Sequence, residues 1–208
     1  MKRALIKVYK RIICDNNQSM RNFKFQRISV KMLPSYLQSF NYKLHFNLLP
    51  VKSMFKEWQL DNDSTCLFCK VGYETVFHLF GTCEKLKGLW NMLKNAHYGL
   101  ANEYFDYNGE RRNFNCDLVN VTKINTRYEK TLVYLNSVVN YNIWRYRNDI
   151  RYRFKEFNLE DLMCRIIKSV GYRRKVDQQV TDSFKVPFIN QLYEKLVNTK
   201  NLYPFDNG

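Results

Sequence analysis

Residues 66–83, "CLFCKVGYETVFHLFGTC", place Cys66, Cys69, His78 and Cys83 at the spacing Cys-x2-Cys-x8-His-x4-Cys. Two cysteines three positions apart can aim both sulfurs at one centre from a tight turn. Three thiolates and one imidazole form a donor set suited to tetrahedral Zn2+. Four side chains committed to one coordination sphere constrain the local fold more than any apolar periodicity in the chain. A catalytic zinc keeps a position open for water, whereas here all four are filled, so the reading is a closed structural site. Glu74 stands four residues before His78, but no second histidine follows at the spacing of a helical H-E-x-x-H motif.

His78 and Cys83 are five positions apart, which on an uninterrupted helix separates them by about 140°. The sequence predicts that a short helix from Glu74 to Phe80 presents His78. Gly81 then adopts the left-handed conformation and turns Cys83 back toward the metal. Glu74 in the first turn favours a helix start there.

Around this loop the pattern is helical. Ala4, Leu5, Val8, Tyr9, Ile12 and Ile13 share helical spacing with Lys2, Arg3, Lys7, Lys10 and Arg11 between them, which predicts a basic amphipathic helix. Residues 23–33 fit neither strand nor loop decisively. Apolar positions from Tyr36 to Asn47 and from Val51 to Leu60 predict two short helices, and residues 84–99 a third that Gly99 stops. A long helix is expected from about Tyr128 to about Phe157, with Leu132, Val139, Ile143, Ile150 and Phe154 on one stripe. Shorter helices near 159–170 and 183–198 complete the chain. The expectation is an all-α, irregular helical domain with an embedded CCHC zinc-binding loop. It divides into a basic N-terminal helix and connector (1–35), the zinc-binding module (36–100), a polar connector (101–126) and a C-terminal helical region (127–208).

With 45% hydrophobic residues in 208, the chain can bury a sizeable core. Cys14, Cys116 and Cys164 then read as small buried hydrophobes with reduced thiols, and His45 and His97 as residues without chemistry. No window approaches the ~18 apolar residues of a membrane span, and the N-terminus lacks a secretory h-region. An intracellular protein, nuclear or cytoplasmic and without a membrane partner, is expected. The net charge of +15 would attract polyanions.

Residues 48–90 resemble the reverse-transcriptase-associated zinc-binding domain found near the C-terminus of non-LTR retrotransposon polyproteins. The likeness lies in Leu49-Pro50, Cys66 and Cys69, Glu74-Thr75, His78-Leu79-Phe80, Cys83 and Trp90. "IWRYRNDIRYRF" (143–154) is similar to elements that trail this domain, so the likeness covers residues 43–155. It implies an element-derived chain whose zinc module helps a parent enzyme hold template RNA or target DNA. The chain has no Tyr-x-Asp-Asp motif and no paired aspartates for polymerase metals, so it is expected not to be an enzyme.

Residues 1–60 carry 12 Lys and Arg against 2 Asp and Glu, whereas residues 61–100 carry 4 against 4. The zinc loop is therefore a poor phosphate binder. RNA or DNA contacts are expected from Lys7, Lys10 and Arg11 and from one face of the long helix: Trp144, Arg145, Asn148, Arg151, Tyr152 and Lys155. The bland reading of that face is a packed aromatic edge with solvated cations. The alternative function is a structural or protein-interaction domain without nucleic-acid binding, its partner a parent polyprotein or another protein. "GYRRKVDQQ" (171–179) adds a weak basic patch; oligomeric state is not legible.

Overall fold

A computed structural model of the chain describes residues 32–104 and 127–202. The stretch expected to form the basic N-terminal helix with Lys7, Lys10 and Arg11, together with Cys14 and Cys116, lies outside the described residues. Among those described, the architecture is helical, and its extended pairing is a single antiparallel bridge between Thr65 and Tyr73. The α-helices are α1 (Ser35–His45), α2 (Lys52–Glu57), α3 (Lys87–Tyr104), α4 (Arg127–Arg153), α5 (Leu159–Asp177) and α6 (Ile189–Leu202). None of the helices among the described residues is long and apolar enough to cross a membrane.

α4 is the axis of the fold. Leu132, Leu135, Val139, Ile143, Tyr146 and Ile150 step by three or four along it and are all buried. Burying such a stripe removes each side chain from water at a gain of about 1.5–3 kcal/mol. α1 packs on one flank, where Asn41 donates to Ser137 Oγ at 2.8 Å. Phe40 of α1 lies 5.4 Å from the Tyr141 ring and 6.3 Å from Phe80, joining α1, α4 and the loop before α3. On the other side α5 returns along α4 through Leu162, Met163, Ile166 and Val170, and α6 packs against both α5 and α3. Side chains from 32–96 and from 132–196 thus share one core.

Several expected helix ends fall elsewhere: α5 runs on to Asp177, and α6 begins at Ile189 rather than near 183. α3 runs through Gly99 to Tyr104. An interior glycine costs a helix about 1 kcal/mol, which does not compel a stop where packing against α6 continues. α4 ends at Arg153, not near Phe157. Phe154 adopts φ 53° and is 91% exposed, so it leaves the apolar stripe on which the sequence placed it. The core position below that end is taken instead by Phe157, whose ring lies 5.9 Å from Tyr146 and 4.8 Å from Phe68 of the cysteine loop. Asn158 then caps α5 by accepting from the Asp161 N–H at 2.9 Å.

Candidate metal centre

The first two cysteines sit on a hairpin-like knuckle. Cys66 N–H donates to Gly72 O at 2.7 Å across the Thr65–Tyr73 bridge, and Lys70 N–H closes the turn onto Cys66 O at 2.9 Å. Lys70 takes φ 61°, the left-handed step that lets so short a turn reverse.

The second pair is arranged differently from the sequence expectation. Thr75, rather than Glu74, starts the helical segment, its Oγ1 accepting from the His78 N–H at 2.9 Å. Gly81 is not left-handed, since no glycine among the described residues has positive φ. Instead His78–Thr82 forms a π-helical turn, closed by Cys83 N–H donating to His78 O at 2.9 Å. A π turn makes its hydrogen bond over five residues rather than four. It therefore brings an i, i+5 pair to one side, the juxtaposition a regular α-helix denies. A 3-10 turn (Glu84–Leu86) then feeds directly into α3, anchoring Cys83 from behind.

These two substructures bring the four donors together. Cys69 Sγ lies 3.4 Å from His78 Nε2 and Cys66 Sγ 3.9 Å from Cys83 Sγ, and all four donor atoms fall within 4.8 Å of one another. A tetrahedron built on metal–sulfur bonds of about 2.3 Å has sulfur–sulfur edges of about 3.8 Å, so the set fits zinc in size as well as in chemistry. Cys66 and Cys83 are buried, Cys69 and His78 half-buried. A hydrogen bond to Cys83, with burial, pushes the Cys66 thiol up; the same bond draws the Cys83 thiol down. A cation must displace the thiol protons to bind here. With Nε2 turned to the centre, His78 Nδ1 faces Thr82 Oγ1 at 3.4 Å, a partner that helps set the ring's orientation.

Gly72 completes the site from the outside. A Cβ at this position would sit 2.8 Å from His78 Cε1 and 3.2 Å from Nδ1, closer than ordinary van der Waals contact. Gly72→Ala is therefore expected to push the imidazole off its donor position and weaken metal affinity by about 10–100-fold. Competition with a chromophoric chelator measures this, and an unchanged affinity would show that the ring has room to spare.

Glu74 has a role that the sequence did not disclose. Its carboxylate is fully buried. Oε1 accepts from the Lys52 N–H at 2.9 Å and from Arg147 Nε at 3.0 Å and Nη2 at 2.5 Å, while Oε2 accepts from the Leu67 N–H at 3.1 Å. One side chain thus fixes the start of α2, the cysteine knuckle and the middle of α4. Arg147, also fully buried, stacks 5.1 Å from the Trp144 ring. Lys52 adds a second tie by pairing with Asp63, and this hydrogen bond holds the Asp63 carboxyl well below the usual carboxylate range.

Of the residues nominated for nucleic acid, Trp144, Arg145, Asn148, Arg151 and Tyr152 share a face of α4 and Lys155 lies beyond its end, but most are engaged within the molecule. Trp144 is half-buried against the core. Asn148 accepts from Arg147 at 3.0 Å. Arg151 pairs with Asp61 at 3.3 Å and stacks 4.2 Å from the Phe55 ring, and Lys155 pairs with Asp161. Arg145 and Tyr152 are exposed. Of the 171–179 patch, Arg173 turns inward to pair with Asp177 at 2.6 Å. Cys164 is half-buried and accepts from Lys200 Nζ at 3.1 Å.

A helical fold with a Cys3His cluster, buttressed by a buried carboxylate, defines the class as a helical protein built around a knuckle that could hold a metal ion. The comparison with known families is more specific: residues 6–90 match the family described as zinc-binding in reverse transcriptase. The match begins well upstream of the stretch that carries the resemblance by eye and ends at Trp90, before residues 143–154. No curated protein and no solved structure matches the chain.

Proposed function

We propose that Cys66, Cys69, His78 and Cys83 hold a structural Zn2+, and that the scaffold it pins presents cationic surfaces to RNA or DNA without performing catalysis. The observation that carries the reading is the convergence of four donors inside a segment matched to zinc-binding domains of reverse transcriptases. When bound, the ion supplies cross-linking between the knuckle and the π turn; the recognition falls to side chains elsewhere. The charge of +15 supports a polyanionic partner. So does Arg145, which is exposed and pairs with no carboxylate among the described residues.

A second reading, a structural or protein-interaction domain derived from the same source, draws on the ion pairs that already occupy Arg151 and Lys155. Salt dependence separates the two. The zinc-loaded chain should bind a labelled single-stranded oligonucleotide at low salt, with a log–log slope of about 0.7 per phosphate neutralised. The triple variant Arg145→Gln, Arg151→Gln and Lys155→Gln should flatten that slope by about 2 while leaving helical circular dichroism intact. Absence of any complex at low salt, with RNA and with DNA, would favour the second reading.

A further inference from the structure

The start of α4 meets the end of α5 and the loop that continues from it into α6, with Met32 at the edge, around an open groove of about 820 Å3. Its lining carries Arg127, Lys130, Arg174 and Lys185 against Asp177 and Asp182. The two carboxylates are already committed. Asp177 accepts from Arg173 at 2.6 Å and from the Val186 N–H at 2.8 Å, and Asp182 accepts from Lys185 at 2.8 Å. That leaves Lys130 and Arg174 in no ion pair among the described residues, and Arg127 with only a longer-range attraction to Asp182.

The two guanidiniums are held rather than free to swing. Arg127 lies over the Phe188 ring at 5.6 Å and Arg174 over Tyr193 at 4.3 Å. Stacking on an aromatic face leaves the N–H edges of a guanidinium available to an oxyanion. The groove walls are fastened as well, because Thr131 of α4 donates to Pro187 O, just ahead of α6, at 2.5 Å. Three positive charges that form no close ion pair among the described residues repel one another on a braced, solvent-open groove. They are stabilised when an anion of matching charge and extent lies between them.

Resting on the nucleic-acid reading above, we propose that this groove is a phosphodiester-binding site, taking backbone phosphates of an RNA or DNA strand through Arg127, Lys130 and Arg174. An open trough spanning two helices suits a chain of phosphates better than a single small anion, and guanidiniums suit bidentate phosphate contacts. The site lies outside the segment matched to the zinc-binding family and outside the α4 face that the sequence nominates.

The test uses the intact zinc-loaded chain and fluorescence anisotropy with single-stranded RNA and DNA of one sequence, from 50 to 300 mM salt. Arg127→Gln, Lys130→Gln and Arg174→Gln together should weaken binding about a hundredfold at 0.1 M salt and flatten the log–log slope by about 2, because each lost phosphate contact removes about 0.7. Lys130→Gln alone, at an exposed position, should lose about fivefold and keeps the test valid if the triple variant folds poorly. Wild-type affinity and slope in these variants, beside a flattened slope in the Arg145, Arg151 and Lys155 variant, would overturn the groove and leave the broader reading standing. No binding by the wild-type chain to either strand would overturn both.

Discussion

Stripping zinc from the purified chain is expected to lower its thermal midpoint by roughly 20 °C or more. Structural zinc sites contribute on the order of 10 kcal/mol to folding, comparable with the 5–15 kcal/mol total stability of a domain. For a chain of this length each kcal/mol moves the midpoint by about 2–4 °C. The loss should be large because Cys66 and Cys83 are buried in the common core, together with Phe68 and Phe80 from the same loop. Melting followed by circular dichroism, before and after chelation and alongside metal analysis, reads it directly. Cys66→Ser should behave like the chelated chain, and a midpoint indifferent to both would dismiss a structural ion. Acid should act in the same direction, since protons compete with the cation for the thiolate and imidazole donors. A separate, smaller loss should follow at lower pH. The Asp63 and Asp161 carboxyls are depressed by hydrogen bonds from Lys52 and Lys155, so their contributions are present above the ordinary carboxylate range and vanish as pH falls through their lowered values.

Breaking the Glu74–Arg147 pair should cost about 3–5 kcal/mol from either side, because each substitution leaves the other charge buried without its partner. Both side chains are completely excluded from solvent. Glu74→Ala also abandons the Lys52 and Leu67 N–H groups, so it should be the worse of the two. Arg147→Met, which keeps much of the volume, isolates the electrostatic part. A double-mutant cycle in urea should give a coupling of about 2 kcal/mol or more. Independent, additive effects would mean that solvent or another group takes over the lost partner. Since Leu67 lies between the two knuckle cysteines, Arg147→Met should also speed metal release, a readout that a generic core defect would not move.

What the sequence disclosed follows the range of the interactions involved. The ligand set was legible because its four residues lie within one short stretch and their chemistry is singular. The helices were legible from stripes such as Leu132, Val139, Ile143 and Ile150, each a local repeat. The π turn was not, because Gly81 offers a familiar way to end a helix and nothing in the residue types distinguishes it from a turn one residue wider. Glu74 was assigned to a helix start for want of any sign that its counter-charge stands 73 positions away. The α4 face looked free because Asp61 and Asp161, which partner Arg151 and Lys155, come from other segments. The groove of Arg127, Lys130 and Arg174 is assembled by tertiary packing and has no continuous signature at all.

The buried carboxylate near the knuckle also limits how far this unit can travel. A piece cut at Trp90, where the family likeness stops, would carry Glu74 away from the guanidinium that neutralises it. Zinc fingers are often transplanted as self-sufficient modules, but this knuckle depends on a cation contributed by a distant helix. Any minimal version must either reach past Arg147 or replace Glu74 with an uncharged residue that still satisfies the two backbone donors.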